Sequence, residues 1–202
     1  MRTLNEKDFY MGTDGSVLNN VGSYGYVGKS HDHVTLFRGR GPVFGANPTS
    51  FRAEVYGALT VYRLLIRLSE YTEIPITSKC QHYIDNKSVV QRLRQEQKHK
   101  HHGPMQRLTP DWDIISMAAQ SLKEIPTKIH IIWIKGHQDT HQPRHNLSRA
   151  AQANCEADDQ AGLYQQEDSR LKNQVSSRLT NRITYIYSVI RRFCKDGAVP
   201  ML

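Results

Sequence analysis

The chain is short of the residues that staple or anchor a polypeptide. Its three cysteines, Cys80, Cys155 and Cys194, are odd in number and stand in none of the paired spacings of a thiolate metal site. Disulfides are therefore not expected, and reduced thiols in an intracellular, reducing compartment, cytoplasm or nucleus, are. No apolar run approaches the roughly 20 residues of a membrane span, and mean hydropathy is −0.60. The opening residues, Met1-Arg2-Thr3-Leu4-Asn5-Glu6-Lys7, lack the apolar core of a secretion signal, so a protein that is not secreted and has no membrane partner is expected. Acid is the scarcer charge: 19 Asp and Glu stand against 27 Lys and Arg, a net charge of +8 that favours a polyanionic partner such as nucleic acid.

What the chain does have is a regular succession of short β-rich runs and helical repeats, enough for one domain with its own core plus an extension. Phe9 to Asp14 reads as a strand ending in a carboxylate. The Gly- and Asn-rich stretch Gly15 to Gly22 reads as a loop able to approach a phosphate backbone closely. Ser23–Lys29 and Val34–Arg38 supply a second and a third strand, and Gly39 to Pro48 reads as a loop. A helix of about 20 residues then starts at Ser50, with Val55, Leu59, Tyr62 and Ile66 on its core face and Ser50 in a capping position. Glu54 sits early in that helix.

Gln81–Asp85 is a second strand ending in a carboxylate, and Asn86 caps the helix that follows from Lys87. If that strand lies parallel to the first, Asp14 and Asp85 emerge at one edge, where open α/β sheets place their sites. Arg92 to Arg107 is the densest basic stretch, with Arg92, Arg94, Lys98, Lys100 and Arg107 against Glu96 alone. Its histidines, His99, His101 and His102, have no Cys or acid at a helical ligand spacing, so zinc is not expected. A third helix begins at Pro110-Asp111-Trp112-Asp113. Lys128–Ile134 reads as a strand covered on both faces, and it ends in Lys135-Gly136-His137. A helix from about Ala150 to Tyr164 carries Asn154, Asp158 and Asp159, of which Asp158 is the better ligand candidate.

In order, these residues give Thr13-Asp14-Gly15-Ser16, Ala53-Glu54, Ile84-Asp85-Asn86, Trp133-Ile134-Lys135-Gly136-His137 and Asn154-Cys155-Glu156-Ala157-Asp158. The sequence resembles the type 1 ribonuclease H family across residues 8 to 164. The resemblance implies an α/β, ribonuclease H-like fold: a five-stranded mixed sheet, three antiparallel strands followed by strand-helix units, with helices on both faces. It implies that Asp14, Glu54, Asp85 and Asp158 hold two Mg²⁺ or Mn²⁺ ions, and that His137 assists proton transfer or product departure. The implied reaction is metal-dependent hydrolysis of the RNA strand of an RNA/DNA hybrid by an endonuclease, leaving a 5'-phosphate. Gly15, Ser16, Asn20, Ser50 and Asn86 would touch the hybrid, and Lys98 and Lys100 would meet its phosphates.

Two features depart from the family pattern. The interval from His137 to Asp158 is longer than in compact bacterial members, and Ser50-Phe51 stands where many relatives carry paired Asn. Ser-Phe-Arg-Ala-Glu, Pro-Asp-Trp-Asp and Gly-His-Gln-Asp look more like the ribonuclease H domains attached to retroelement reverse transcriptases, so a reverse transcriptase domain of the same polyprotein is an expected partner. A catalytically silent nucleic-acid-binding module and a DNA-directed nuclease of the same superfold are the alternatives. Residues 1–164 are expected to form the catalytic domain of a monomer. In 165–202, Leu171, Val175, Leu179, Ile183, Ile186 and Ile190 recur at helical spacing among arginines, which predicts a basic amphipathic helix packed on the domain or on a neighbouring segment.

Overall fold

A computed structural model describes residues 4–5, 7–45, 47–98 and 108–173, with side chains through residue 167. Lys100, most of the basic stretch after Lys98, and the expected helix beyond residue 173 lie outside the described residues. Met1–Glu167 form one compact unit and Asp168–Leu202 a second; every feature below, apart from the C-terminal end of the last helix, belongs to the first. The elements are β1 (Phe9–Leu18), β2 (Val21–Ser30), β3 (Thr35–Pro42), α1 (Ser50–Thr72), β4 (Cys80–Ile84), α2 (Lys87–Lys98), α3 (Trp112–Glu124), β5 (Ile129–Trp133) and α4 (Arg149–Asn173). They build one five-stranded sheet in the order β3-β2-β1-β4-β5. β1, β2 and β3 pair antiparallel, while β4 runs parallel to β1 and β5 parallel to β4. No helix among the described residues is long and apolar enough to cross a membrane.

The main core lies between one face of this sheet and α1, α2 and α3. Phe9, Met11, Ile84, Ile129 and Ile131 meet Val55, Leu59, Tyr62 and Leu65 of α1, Val90 and Leu93 of α2, and Ile114, Ile115 and Ala118 of α3. Each fully buried Leu, Ile or Phe here is worth about 1.5–3 kcal/mol of transfer free energy. Ile66, expected on the core face of α1, is only half-buried and Leu65 is buried instead. The 3.6-residue period drifts along a 23-residue helix.

The opposite face is covered by α4 over β1 and β2. Glycine makes this close approach possible: a Cβ on Gly12 would lie 2.6 Å from the Ala153 backbone, and one on Gly25 would lie 2.0 Å from the Ala157 carbonyl oxygen. Ser23 Oγ donates to the Ala161 carbonyl at 2.9 Å and fixes the contact. Among the described residues no helix covers the β4 and β5 half of that face.

Four local expectations are corrected. β1 does not stop at Asp14 but runs to Leu18, and Gly15–Gly22 is strand, turn and strand rather than an open loop. The turn needs only Asn19 and Asn20, both at positive φ (51° and 60°), as a two-residue hairpin of matching twist requires. β3 includes Gly39–Pro42, because β2 supplies ladder partners for Gly-rich backbone that looks like a loop by composition. The cap of α1 is Thr49, whose hydroxyl accepts from the Arg52 amide at 3.0 Å, rather than Ser50. β5 is an edge strand buried on one face only: Ile129 and Ile131 are buried, His130 is exposed and Ile132 is half-buried.

Candidate active site

Three elements deliver carboxylates to one point. The parallel register sets Gly12 beside Tyr83, so Asp14 on β1 and Asp85 just after β4 emerge together two residues further on. Glu54 arrives from the start of the second turn of α1. Its approach depends on Gly15, where a Cβ would lie 2.2 Å from the Glu54 amide nitrogen. Carboxylate oxygens of Asp14, Glu54 and Asp85 all lie within 4.8 Å of one another.

This crowding carries an electrostatic cost. Asp14 and Glu54 are each only 5% exposed. Burial, followed by the negative charge of Asp85, pushes the Asp14 carboxyl up to about 8. Burial and the Asp14 charge push Glu54 well above the usual carboxylate range. Glu54 Oε2 is buried with no hydrogen-bond partner. An all-oxygen donor set, held together against its own repulsion and with one oxygen orphaned, fits a hard divalent cation.

Asp158 and His137 form the outer wall. Asp158 is close enough to raise the Asp14 carboxyl further, yet its side chain is 45% exposed, and His137 Nδ1 lies 4.0 Å from Asp158 Oδ2. His137 sits at φ 49°, in the left-handed region. Its carbonyl accepts from Thr140 Oγ1 at 2.8 Å, which holds the turn. All five residues singled out from the sequence, Asp14, Glu54, Asp85, His137 and Asp158, are thus brought to one edge of the sheet.

The expected substrate contacts are spread more widely. Gly15 packs against α1, and its amide donates to Asp14 Oδ1 at 2.8 Å. Ser16 Oγ accepts from Gln165 of α4 at 3.2 Å. Asn20 is at the hairpin tip, roughly 15–20 Å along the strand from Asp14. Ser50 is exposed at the start of α1. Asn86 Oδ1 accepts from the Val89 amide at 3.2 Å, the cap its position predicted. Lys98 closes the far end of α2, about 18 Å from the helix start beside Asp85.

Three supporting groups escaped the sequence reading. A Cβ on Gly136 would lie 2.2 Å from Asp85 Oδ2, so this glycine lets the His137 loop press on the Asp85 carboxylate. Arg144 ties that loop to α4: it donates to Asp139 Oδ2 at 2.8 Å and pairs with Asp159, next to Asp158. Beneath Asp14, His82 is fully buried, with Nε2 2.9 Å from Thr13 Oγ1 and Nδ1 2.7 Å from the Tyr62 hydroxyl. A Gly just before a strand-end His was a legible hint of the first; nothing local marks the other two.

No protein-family model matches the chain, and no curated protein sequence matches it. Solved structures do. Ribonuclease H1 of the archaeon Halobacterium salinarum is 15% identical, with a TM-score of 0.52 over 79% of this chain and 98% of that one. The LC11 ribonuclease H1, solved in complex with an RNA/DNA hybrid, is 15% identical, with a TM-score of 0.55 over 80% and 99%. The fold is that of ribonuclease H. The prototype foamy virus protease-reverse transcriptase matches at 20% identity and a TM-score of 0.51 over 79% of this chain and 21% of its own length. The mixed five-stranded sheet, three antiparallel strands followed by two parallel ones, is the ribonuclease H arrangement expected from the sequence.

Proposed function

We propose that the protein is a divalent-metal-dependent endonuclease that hydrolyses the RNA strand of RNA/DNA hybrids. The observation that carries this reading is the triad of buried Asp14 and Glu54 with half-buried Asp85, whose carboxylates lie within 4.8 Å of one another while Glu54 Oε2 has no partner. Asp158 completes the ligand set from the solvent side. Two Mg²⁺ or Mn²⁺ ions, when bound, supply an activated water and stabilise the attacking and leaving oxygens of the phosphodiester.

The chain's own groups do the rest. The four carboxylates would hold and space the ions, whose charge would offset the repulsion that raises Asp14 and Glu54. His137, exposed and above Asp158, takes or delivers a proton at the reacting oxygens and helps the product leave. Gly15, Ser16, Asn20, Ser50 and Asn86 line the approach to the acids from the β1–β2 hairpin, the start of α1 and the start of α2. Hydrogen bonds to 2'-hydroxyls there select the RNA strand, since that group distinguishes RNA from DNA. Lys98 and Lys100 add phosphate contacts. The hybrid-bound LC11 relative supports this substrate, and the foamy virus relative supports a reverse-transcriptase-associated origin.

An end-labelled hybrid incubated with the purified chain and Mg²⁺ should yield RNA fragments with 5'-phosphates. Absence of cleavage in both Mg²⁺ and Mn²⁺ would overturn the assignment. Equal cutting of duplex DNA would move it to a DNA-directed nuclease.

A further inference from the structure

We propose that the half of the sheet face left open by α4 is a second nucleic-acid surface, which takes single-stranded nucleic acid running away from the hybrid. Only the choice of occupant rests on the proposed activity. A groove of about 910 Å³ lies over the beginnings of β1, β4 and β5, between the end of α2 and the start of α4. It occupies the opposite ends of these strands from the acids, roughly 20 Å from Asp14 if counted from Asp8.

Charge is the first argument. Lys79, Arg94, Lys128 and Arg149 line the groove together with Lys98, which it shares with the proposed hybrid contacts, opposed by Asp8 alone. All five are exposed, and none makes a close ion pair with a carboxylate among the described residues, although Arg149 is near enough to Asp32 to help lower its carboxyl. Several cations elsewhere are matched, Arg40 with Glu167, Arg52 with Asp111 and Asp113, Arg144 with Asp139 and Asp159, and Lys29 with Glu156. Exposed Arg38, Arg63, Lys87, Lys123 and Lys135 are dispersed along the chain rather than gathered in one groove. Arg94 is held in place without being neutralised, because Nε and Nη2 both donate to the Ile131 carbonyl, at 3.0 and 2.6 Å. A guanidinium fixed by a neutral acceptor keeps its full charge for a phosphate.

The floor supplies the second argument. Gln81 stands beside His130 and Tyr83 beside Ile132 in cross-strand register. Exposed His130 and half-buried Tyr83 offer ring faces for unpaired bases, and Gln81, whose Oε1 accepts from the Tyr83 hydroxyl, offers its amide N–H donors. A second copy of this chain would set cation against cation, as would the chain's own segment with Arg178, Arg182, Arg191 and Arg192. A single strand satisfies both the charges and the rings; an acidic peptide answers the charges alone.

The test uses the full chain in EDTA and the fluorescence anisotropy of labelled oligo-dT and oligo-U of about 20 nucleotides. Lys79→Glu/Lys128→Glu should weaken binding at least about tenfold and flatten its salt dependence. Lys123→Glu, an exposed charge reversal on α3, should leave binding unchanged, and the double variant should cleave a blunt hybrid at the wild-type rate. Wild-type affinity in the double variant, or equal weakening by Lys123→Glu, overturns the proposal. So does loss of blunt-hybrid cleavage, which would put the groove on the path of the hybrid itself, or polyglutamate that depends on Lys79 and Lys128 while the oligonucleotides do not. Groove-dependent oligonucleotide binding by a chain that cleaves no hybrid would refute the proposed activity and leave this inference standing.

Discussion

Asp14 and Glu54 are each 5% exposed, whereas the side chains of Asp158 and His137 are 45% and 72% exposed. The first pair rests on the sheet and on α1, with Gly15 admitting the α1 backbone to contact and His82 bracing Thr13 from below. The second pair rests on a loop and the outer side of α4, joined through Arg144. Core packing resists displacement, since buried groups have few alternative arrangements. Solvated ion pairs are worth about 0–1 kcal/mol. The inner half of the site is therefore held by packing, and the outer half by weaker, solvated contacts.

The largest expected effect tests the inner half directly. Asp14→Asn should reduce hybrid cleavage by about 10³-fold or more, with hybrid binding in EDTA nearly unchanged. Retained activity in a cleavage assay would show that the ligands are misassigned. Gly136→Ala should cost about 10²-fold, because its Cβ must displace the Asp85 carboxylate or the loop, and misplacement of about 1 Å has that effect. A wild-type rate would mean that the outer loop yields without disturbing Asp85.

Smaller effects belong to the outer half. His137→Ala should slow turnover by about tenfold to 10²-fold in single-turnover kinetics. Arg144→Ala should slow it only a few-fold and change stability by less than about 1 kcal/mol. In the His137→Ala background it should do nothing further, if its role is to position that loop. Additive losses would give Arg144 a separate function.

The smallest effect concerns the brace beneath Asp14. Burial lowers His82 to about 3, so between pH 6.5 and 3 the unfolded chain binds a proton that the folded chain refuses. His82 stability is thus present at neutral pH and is lost as pH falls through that window. In urea denaturation the gap between wild type and His82→Gln should narrow from pH 7 to pH 4. A constant gap would show that His82 takes up its proton while folded.

Much of this was legible because the chemistry sits at element ends. Glu54, Asp85 and His137 could each be placed at a strand end or early in a helix by periodicity and turn residues, whereas Asp14, read as a strand end, lies within β1. The misreadings share a cause. Gly15–Gly22 and Gly39–Pro42 look like loops because Gly and Asn are poor strand formers, yet neighbouring strands supply their hydrogen bonds. The apolar run in β5 predicted two covered faces, but α4 crosses only β1 and β2, over Gly12 and Gly25. Arg144 was invisible as a clasp, since its partner Asp159 lies beyond a loop and about three turns of α4.

The sequence by itself determined which side chains carry charge, their order, and the edge of the sheet to which each element would deliver them. Tertiary structure decided which of them meet. The parallel register of β1 and β4 sets Asp14 beside Asp85, and a glycine at position 15 lets α1 bring Glu54 into contact. The half-face that α4 leaves open gathers five exposed cations around one groove. Adjacency depends on packing distances of a few ångströms between residues far apart in the chain, and periodicity carries no record of those distances.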